Sequence, residues 1–251
     1  MIGTPIRAHA AMLFSGNASD LPVVYADDAI LVLHKPAGLL CVPGRGPDKQ
    51  DCLSARAQAR WGDARTVHRL DQATSGLVVM ARGLAHQRQL SRAFELRQVF
   101  KRYSAVVQGC VPPDWCDWQT ITEPIAVDWP NRPLRKIDPV GGQAATTRVR
   151  VARGSQRRAP ADATHLELEP LTGRTHQLRL HLAASGFPIL GDALYAPTDV
   201  AIRTPRLMLH ACELAFQHPA SGASMRWQLD PLKYTGEPQP ERRSALPFDS
   251  L

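Results

Sequence analysis

The sequence predicts an α+β protein built on a mixed sheet. Segments with the two-residue alternation or the short apolar runs of β-strands outnumber segments with helical periodicity, and a single type of composition extends from residue 21 to residue 235. We therefore expect one folded domain over residues 21–235. Residues 1–20 and 236–251 are expected to form a loose N-terminal arm and a loose C-terminal tail.

The first half of this domain is expected to alternate strands with helices. Apolar runs bounded by Gly and Pro predict its strands, and apolar residues three and four positions apart predict its helices. The expected elements are two strands around an Asp27-Asp28 turn in residues 23–36, a helix over residues 53–61 with Asp51 as N-cap, a central strand over residues 77–81, a helix over residues 84–99, and a strand over residues 101–108 that places Tyr103, Ala105 and Val107 on one face.

The second half opens with residues 111–142, whose many Pro and Trp residues predict an irregular excursion. The elements expected after it are strands over residues 145–151 and 164–171, a helix over residues 173–185 with Thr175 as cap and Gly186 as stop, and a strand pair over residues 207–216 and 224–229.

The charge of the chain is strongly basic, with a net charge of +7 and an isoelectric point near 9.5. Five of the 30 basic residues are Lys and the others are Arg. Arg pairs bidentately with phosphate and stacks on bases, so this usage favours a nucleic-acid partner. A genome that favours Arg codons explains the same usage, and the charge alone leaves both explanations open.

Several common classes of protein are excluded by absent motifs. The five cysteines form no CxxC pair, which argues against a disulfide framework or zinc ribbon and fits a reducing cytoplasm. No segment approaches the roughly 18 apolar residues of a membrane helix, and residues 1–20 make a poor signal peptide. There is no P-loop, GxGxxG, GxSxG or HExxH motif. We therefore expect chemistry without ATP, a metal or a redox cofactor, and no membrane association.

One carboxylate, Asp71, stands out in the segment TVHRLDQATSGLVVMAR (residues 66–82). At a turn before a buried strand it would be partly desolvated, which raises a carboxyl pKa, and a nearby cation would keep it ionised. An ionised and poorly hydrated carboxylate beside a groove suits nucleophilic or base catalysis at a sugar carbon. Arg174, at the start of a predicted helix, is the best candidate for that cation. The residues alone equally allow Asp71 to be only the cap of the turn at residues 74–76.

Residues 68–76, HRLDQATSG, resemble the HRLDxxTSG signature of the RluA family of pseudouridine synthases. Five further segments are similar to family motifs in the same order: HKPAGLLCVPGR (34–45), KRY (101–103), DWPNRP (128–133), GRTHQLRLHL (173–182) and GFPILGDALY (186–195). The resemblance covers about residues 21–230. It implies the pseudouridine synthase catalytic fold, a mixed and mostly antiparallel sheet with a central RNA-binding cleft flanked by helices and loops.

The resemblance also implies an activity. Such enzymes isomerise uridine to pseudouridine, here in hairpin loops of 23S rRNA, tRNA or both, after the base has left its stack and without a cofactor. By carry-over, Asp71 is the catalytic aspartate, Arg174 its ion-pair partner, Tyr103 the ring that stacks on the base and helps remove a proton, and Arg69 the residue that enters the RNA stack. The other expected RNA contacts are His68, Thr74, Arg45, Arg132 and Arg135, with Arg148, Arg150, Arg157 and Arg158 as further candidates for phosphate contact.

Several of these assignments have a purely structural alternative. His68 and His176 are more readily structural hydrogen-bonding residues than acid–base groups, and Trp115, Trp118 and Trp129 either stack on RNA or pack a long loop.

Many relatives carry an N-terminal S4 domain; the 33 residues before the first motif are too few for one, so we expect recognition by the catalytic domain of a monomer. The alternative functions are a non-catalytic RNA-binding protein and a glycosidase or nucleoside hydrolase, although the latter usually needs two carboxylates or a metal.

Overall fold

The computed structural model describes residues 21–153 and 159–230 of the 251-residue chain. The expected arm and tail, together with Arg157 and Arg158, lie outside the described residues. The described part contains twelve β-strands, four α-helices and two 3-10 helices, which bears out the prediction that strands outnumber helices.

The strands are β1 (Val23–Ala26), β2 (Ile30–Lys35), β3 (Ala64–Thr66), β4 (Ser75–Arg82), β5 (Phe100–Gln108), β6 (Gln119–Ile121), β7 (Ile125–Val127), β8 (Arg135–Ile137), β9 (Thr147–Val151), β10 (Ala163–Pro170), β11 (Leu209–Gln217) and β12 (Ser224–Gln228). The α-helices are α1 (Leu53–Arg60), α2 (Gly83–Glu95), α3 (Gln177–Ala184) and α4 (Thr198–Ala201). The 3-10 helices are Pro47–Lys49 and Pro113–Cys116.

Ten strands form one sheet in the order β1-β2-β4-β11-β5-β10-β9-β6, with β3 paired to β4 and β12 paired to β11. Neighbouring strands are antiparallel except for β4 and β11, which run parallel. The remaining two strands, β7 and β8, form a separate antiparallel hairpin. The predicted mixed and mostly antiparallel sheet is thus confirmed.

The central strands are continuous apolar runs because both faces of the sheet are covered. Along β4, Val79 packs on the same side as Leu90 of α2, whereas Val78 and Met80 pack on the opposite side with Leu53 of α1. A third cluster joins β5, β9 and β10 to α3. In this framework Asp71 lies in the loop after β3, Tyr103 lies within β5 and Arg174 lies in the segment between β10 and α3.

The start of α1 differs from the prediction. Its N-cap is Cys52, whose Sγ accepts a hydrogen bond from the Ala55 N–H at 3.4 Å. Asp51 instead forms an exposed ion pair with Arg56 at 2.7 Å. The expected Asp51 cap is therefore wrong by one position, because the carboxylate finds a cation one turn further along the helix.

Two helix boundaries near the cleft also differ. Helix α2 ends at Glu95 rather than at residue 99, because Arg97 adopts a left-handed conformation with φ of 58°. Helix α3 begins at residue 177, and its N-cap position is held by His176, also at φ 58°, so Thr175 is not the cap. Gly186 takes φ of 88° directly after α3 and is the helix stop, as predicted.

Residues 111–142, expected to be irregular, contain β6 and the β7–β8 hairpin. The hairpin packs on α3, since Ile125 and Ile137 share a cluster with Leu180. On α3, His181 also contacts the backbone carbonyl of Glu123 through Nε2 at 2.9 Å. The sequence pattern did not predict these short strands, which are completed by distant partners: β6 pairs with β9, and the β7–β8 hairpin packs on α3. No helix of the described chain is long and apolar enough to cross a membrane.

Candidate active site

A cleft of about 500 Å³ opens between the loop after β3, the α2–β5 junction and the segment before α3. It brings together six of the nine predicted site residues, namely His68, Arg69, Asp71, Thr74, Tyr103 and Arg174. The other three predicted residues, Arg45, Arg132 and Arg135, do not line it.

The backbone of the Asp71 loop is held by a buried cation. The ammonium of Lys35, which is fully buried, donates to the carbonyls of Pro36 at 2.8 Å, Leu39 at 2.7 Å and Gln72 at 3.0 Å. Burial lowers the pKa of Lys35 to about 8, and the negative charge of Asp71 opposes that shift. Lys35 therefore ties the loop, one residue after Asp71, to the end of β2.

The end of the same loop is shaped by Gly76. It has φ of 124°, and a Cβ atom at this position would collide with the backbone of Ala211 on β11. This close approach occurs where β4 and β11 pair in parallel, with Gly76 opposite Ala211. The N–H of Thr74, which is buried, donates to the Asp71 carbonyl at 3.1 Å and closes the turn. Only glycine can give the loop this direction, which explains why the segment TSG ends in one.

The Asp71 carboxylate is partly exposed in the cleft. Within residues 21–153 and 159–230 it accepts no hydrogen bond and makes no ion pair within 4.0 Å. The expected direct ion pair with Arg174 is therefore not formed in this structure. Arg174 is exposed, and its Nε donates to the Ala144 carbonyl at 3.1 Å, which turns the guanidinium toward that carbonyl. Both side chains line the same cleft, so Arg174 contributes a nearby positive charge there.

Tyr103 lies half-buried on β5, opposite Leu168 of β10 and Ala211 of β11. Burial raises the pKa of its phenol, and the negative charge of Asp71 raises it further. The hydroxyl is therefore protonated at neutral pH. These electrostatics favour Tyr103 as a stacking surface and disfavour the expected role in proton removal.

His68 is a structural acceptor. Its Nε2 accepts the Val79 N–H of β4 at 3.0 Å, and its ring stacks on Phe94 of α2 with 4.4 Å between centroids. Burial lowers the pKa of His68 to about 3, and the charge of Lys101 adds to the effect. A neutral imidazole with one nitrogen engaged cannot donate from that nitrogen to RNA, and the structural interpretation of His68 is favoured.

A second histidine, His176, is linked through Tyr195 to the backbone of Arg135. The Tyr195 hydroxyl accepts the backbone N–H of Arg135 at 2.9 Å and lies 2.7 Å from Nδ1 of His176. Donation of the remaining hydroxyl proton to Nδ1 satisfies both groups, and in this arrangement Nε2 of the neutral ring carries the N–H. Burial lowers the pKa of His176 against the opposing influence of Asp71. His176 thus supplies a neutral N–H donor to the cleft that it lines.

This arrangement rests on a buried ion pair that the sequence reasoning missed. Arg179 of α3 donates to Asp192 through Nε at 2.8 Å and Nη2 at 2.5 Å, and both side chains are at most 4% exposed. Asp192 Oδ1 also accepts the N–H groups of Leu194 and Tyr195 at 2.9 and 3.2 Å. The segments GRTHQLRLHL and GFPILGDALY contain these residues, and their resemblance to family motifs was the available signal.

The predicted RNA contacts outside the cleft have other environments. Arg45 is exposed in the loop after β2, and Arg132 is exposed with its guanidinium 3.5 Å from the centre of the Trp129 ring. Arg135 is half-buried and supports Tyr195 through its backbone. None of the three lines the cleft, although Arg135 lies near it, since burial and the positive charge of Arg135 both lower the pKa of the cleft residue His176.

The further candidates Arg148 and Arg150 form ion pairs with the acidic residues of β10. Arg148 pairs with Glu169 at 2.9 Å and Arg150 with Glu167 at 2.6 Å, and both guanidinium groups lie over Trp118. The other two tryptophans considered for stacking on RNA differ from Trp118. Trp115 is buried against Phe187, so it packs the loop, whereas Trp129 is exposed. Among the described residues, no group of three or more His, Cys, Asp or Glu side chains could hold a metal ion.

Comparisons with known proteins agree with this geometry. Residues 29–184 match the family described as RNA pseudouridylate synthase. The chain is 41% identical over 205 residues to the Dual-specificity RNA pseudouridine synthase RluA of Haemophilus influenzae, which covers 82% of this chain and 90% of that protein. It is 42% identical over 208 residues to the protein of the same name from Escherichia coli K12, covering 83% and 92%.

A solved structure extends the similarity to the fold. Human RNA Pseudouridylate Synthase Domain Containing 1 superposes on this chain with a TM-score of 0.68 and 27% identity, over 87% of this chain and 86% of that one. The sheet and the cleft between the β3 loop, β5 and α3 are therefore those of a pseudouridine synthase. This chain belongs to the RluA family of RNA pseudouridine synthases.

Proposed function

We propose that this RNA pseudouridine synthase isomerises specific uridines in hairpin loops of both 23S rRNA and tRNA, with Asp71 as its catalytic residue. The main support is that Asp71, Arg69 and Tyr103 line one cleft. Among the described residues, the Asp71 carboxylate has no hydrogen-bond or ion-pair partner. The dual-specificity relatives, 41–42% identical, support two classes of RNA substrate.

The reaction balances without an added reactant. The bond between N1 and C1′ of the uridine breaks, the uracil turns within the cleft, and C5 forms a new bond to C1′. The proton lost from C5 is matched by one gained at N1, so the product is an isomer. Asp71 acts on the ribose of the target nucleotide, and a carboxylate with free lone pairs suits either attack at the sugar or removal of a sugar proton.

Base flipping is the second part of the proposal. A uridine must leave its stack to reach Asp71, at a cost of a few kcal/mol that contacts in the cleft offset. Arg69 is exposed two residues before Asp71 and can occupy the vacated position, while the ring of Tyr103 stacks on the extruded base. The neutral N–H of His176 adds a donor for a uracil carbonyl or for the carboxylate.

We further infer that the enzyme is a cytoplasmic monomer whose residues 21–235 act as one catalytic domain. RNA is the substrate of its family, and all five cysteines are free thiols.

Asp71→Asn tests the catalytic assignment. We expect loss of pseudouridine formation by at least about 10³-fold with RNA affinity nearly unchanged, because the amide cannot serve as nucleophile or base. Pseudouridine is mapped in 23S rRNA and tRNA transcripts incubated with each variant. Glu95→Gln, a change at another acid that lines the cleft, serves as the matched control and should retain activity. Wild-type turnover by Asp71→Asn would contradict the mechanism, and modification of only one RNA class would contradict dual specificity.

A further inference from the structure

Two basic residues at one side of the cleft, Arg97 and Lys101, have no role in the reaction described above. Arg97 follows α2, and Lys101 is the second residue of β5. Both line the cleft with Tyr103, which lies two positions after Lys101 on the same strand. Alternate residues of a strand share a face and lie roughly 7 Å apart, so Lys101 is a near neighbour of the proposed stacking ring.

The backbone of Arg97 has a conformation that favours glycine. Its φ is 58°, its N–H donates to the Phe94 carbonyl at 3.1 Å, and the next N–H, of Gln98, donates to the Ala93 carbonyl at 2.8 Å. These two hydrogen bonds define a Schellman motif, whose left-handed position is usually Gly. Arg97 and His176 are the two non-glycine residues with positive φ in the described chain, and both line the cleft. Such conformations concentrate at functional sites.

The electrostatic environment of Lys101 is also unfavourable in the free protein. Burial lowers the pKa of Lys101, and the positive charge of Arg97 lowers it further, so the two cations are close enough to repel each other. Neither forms an ion pair with a carboxylate within 4.0 Å in the part of the chain that the structure describes. Glu95, the nearest acid along α2, pairs with Arg92 at 3.8 Å instead.

We propose that Arg97 and Lys101 form a subsite for one RNA phosphodiester, adjacent in the strand to the nucleotide whose base reaches Tyr103. An anion between the two side chains would remove their repulsion and give the partly desolvated ammonium a counter-charge, while the guanidinium offers a bidentate fork for phosphate oxygens. Arg97 lines the cleft from a left-handed position, where a glycine would relieve the strain but supply no cation. This subsite rests on RNA as the substrate and is independent of the role of Asp71.

Arg97→Gly separates this role from a structural one, because the two roles predict opposite effects. We expect the variant to unfold at a higher temperature, since glycine fits the left-handed position, and to bind RNA about 5- to 10-fold more weakly. The slope of log Kd against log[salt] should fall by about 0.7 to 0.9, which corresponds to one lost phosphate contact. Affinity is measured with a stem-loop that already carries pseudouridine at its modified position, so that turnover does not interfere.

Two further variants serve as controls. Arg88→Gln removes one charge from the exposed surface of α2 outside the cleft and should leave the salt slope unchanged. Arg97→Lys keeps the charge and the backbone conformation and should retain most of the affinity. Higher stability of Arg97→Gly with the affinity and salt slope of Arg88→Gln would overturn the proposal and leave Arg97 as a cation that only complements the C-terminal end of α2.

A second measurement identifies the phosphate. Stem-loops with a single uncharged methylphosphonate at each position around the modified nucleotide are compared on wild-type protein and Arg97→Gly. We expect one position, within one nucleotide of the pseudouridine, to weaken binding to the wild-type protein and to have little further effect on Arg97→Gly. If the methylphosphonate and Arg97→Gly weakened binding independently at every position, so that their effects on Kd multiplied, Arg97 and that phosphate would not be in contact.

Discussion

At the scale of single residues, burial determines which side chains near the cleft are charged. Lys35 remains a donor to three carbonyls although it is fully buried, and His68 is neutral because burial and the charge of Lys101 lower its pKa. The same burial keeps the Tyr103 hydroxyl protonated. Around Asp71, burial thus lowers the pKa of Lys35 to about 8 and lowers the pKa of His176, whereas it raises the pKa of Tyr103.

The lowered pKa of His68 predicts a loss of stability in acid. Its folded-state pKa of about 3 lies below the ordinary value of 6.5, so the unfolded chain binds the proton first as the pH falls. The contribution of the neutral His68 side chain to the free energy of unfolding is therefore fully present above pH 6.5 and is lost progressively toward pH 3. We expect His68→Gln to be less stable than wild type at pH 7, with a difference of a few kcal/mol that shrinks toward pH 4. Urea unfolding at several pH values measures it, and a constant difference would contradict the prediction.

At the scale of elements, the cleft depends on contacts between segments that are distant in sequence. The β7–β8 hairpin provides the Arg135 N–H, the turn after Asp192 provides the Tyr195 hydroxyl, and the two meet at His176 before α3. The hydroxyl links this hairpin to His176, which lines the cleft together with Asp71. The hairpin is therefore part of the active-site scaffold and not only a surface excursion.

Tyr195→Phe removes this link while keeping the ring beside Arg179. The Arg135 N–H then loses its acceptor and Nδ1 of His176 its donor, which should lower stability by about 1–2 kcal/mol. We expect the rate of modification to fall by about 10-fold. We also expect the acidic limb of the pH–rate profile to move, because Nδ1 of His176 has lost its contact with the Tyr195 hydroxyl. The pH profile of single-turnover rates is the measurement. A uniform loss at all pH values, matched by the loss of stability, would indicate a structural role alone.

At the scale of the whole molecule, the positive charge is divided between two surfaces with different roles. The cleft contains Arg69, Arg97 and Arg174, which make no ion pair within 4.0 Å in the described ranges. The β9–β10 surface has arginines that are paired with glutamates around Trp118. The count of 30 basic residues therefore overstates the number of arginines available to RNA away from the cleft.

Arg150→Gln tests this division. Its partner Glu167 is 11% exposed, so loss of the guanidinium leaves a poorly solvated carboxylate and should reduce stability by about 2 kcal/mol. RNA affinity and its salt dependence should stay within about twofold of wild type, since a neutralised pair has little counterion to release. Arg69→Gln should show the reverse pattern. A salt slope lowered by Arg150→Gln would place RNA on the β9–β10 surface.

The longer strands, the order of the predicted elements and the position of the Asp71 loop follow from local sequence, because period-two alternation, apolar runs and Gly or Pro turns act over a few residues. The nine-residue motif around Asp71 likewise predicted the family. Tertiary structure alone decided that the caps are Cys52 and His176, that Arg174 faces the Ala144 carbonyl, and that Arg148 and Arg150 are paired. These outcomes depend on which distant groups meet and how much water each retains, and a single sequence without its fold contains neither quantity.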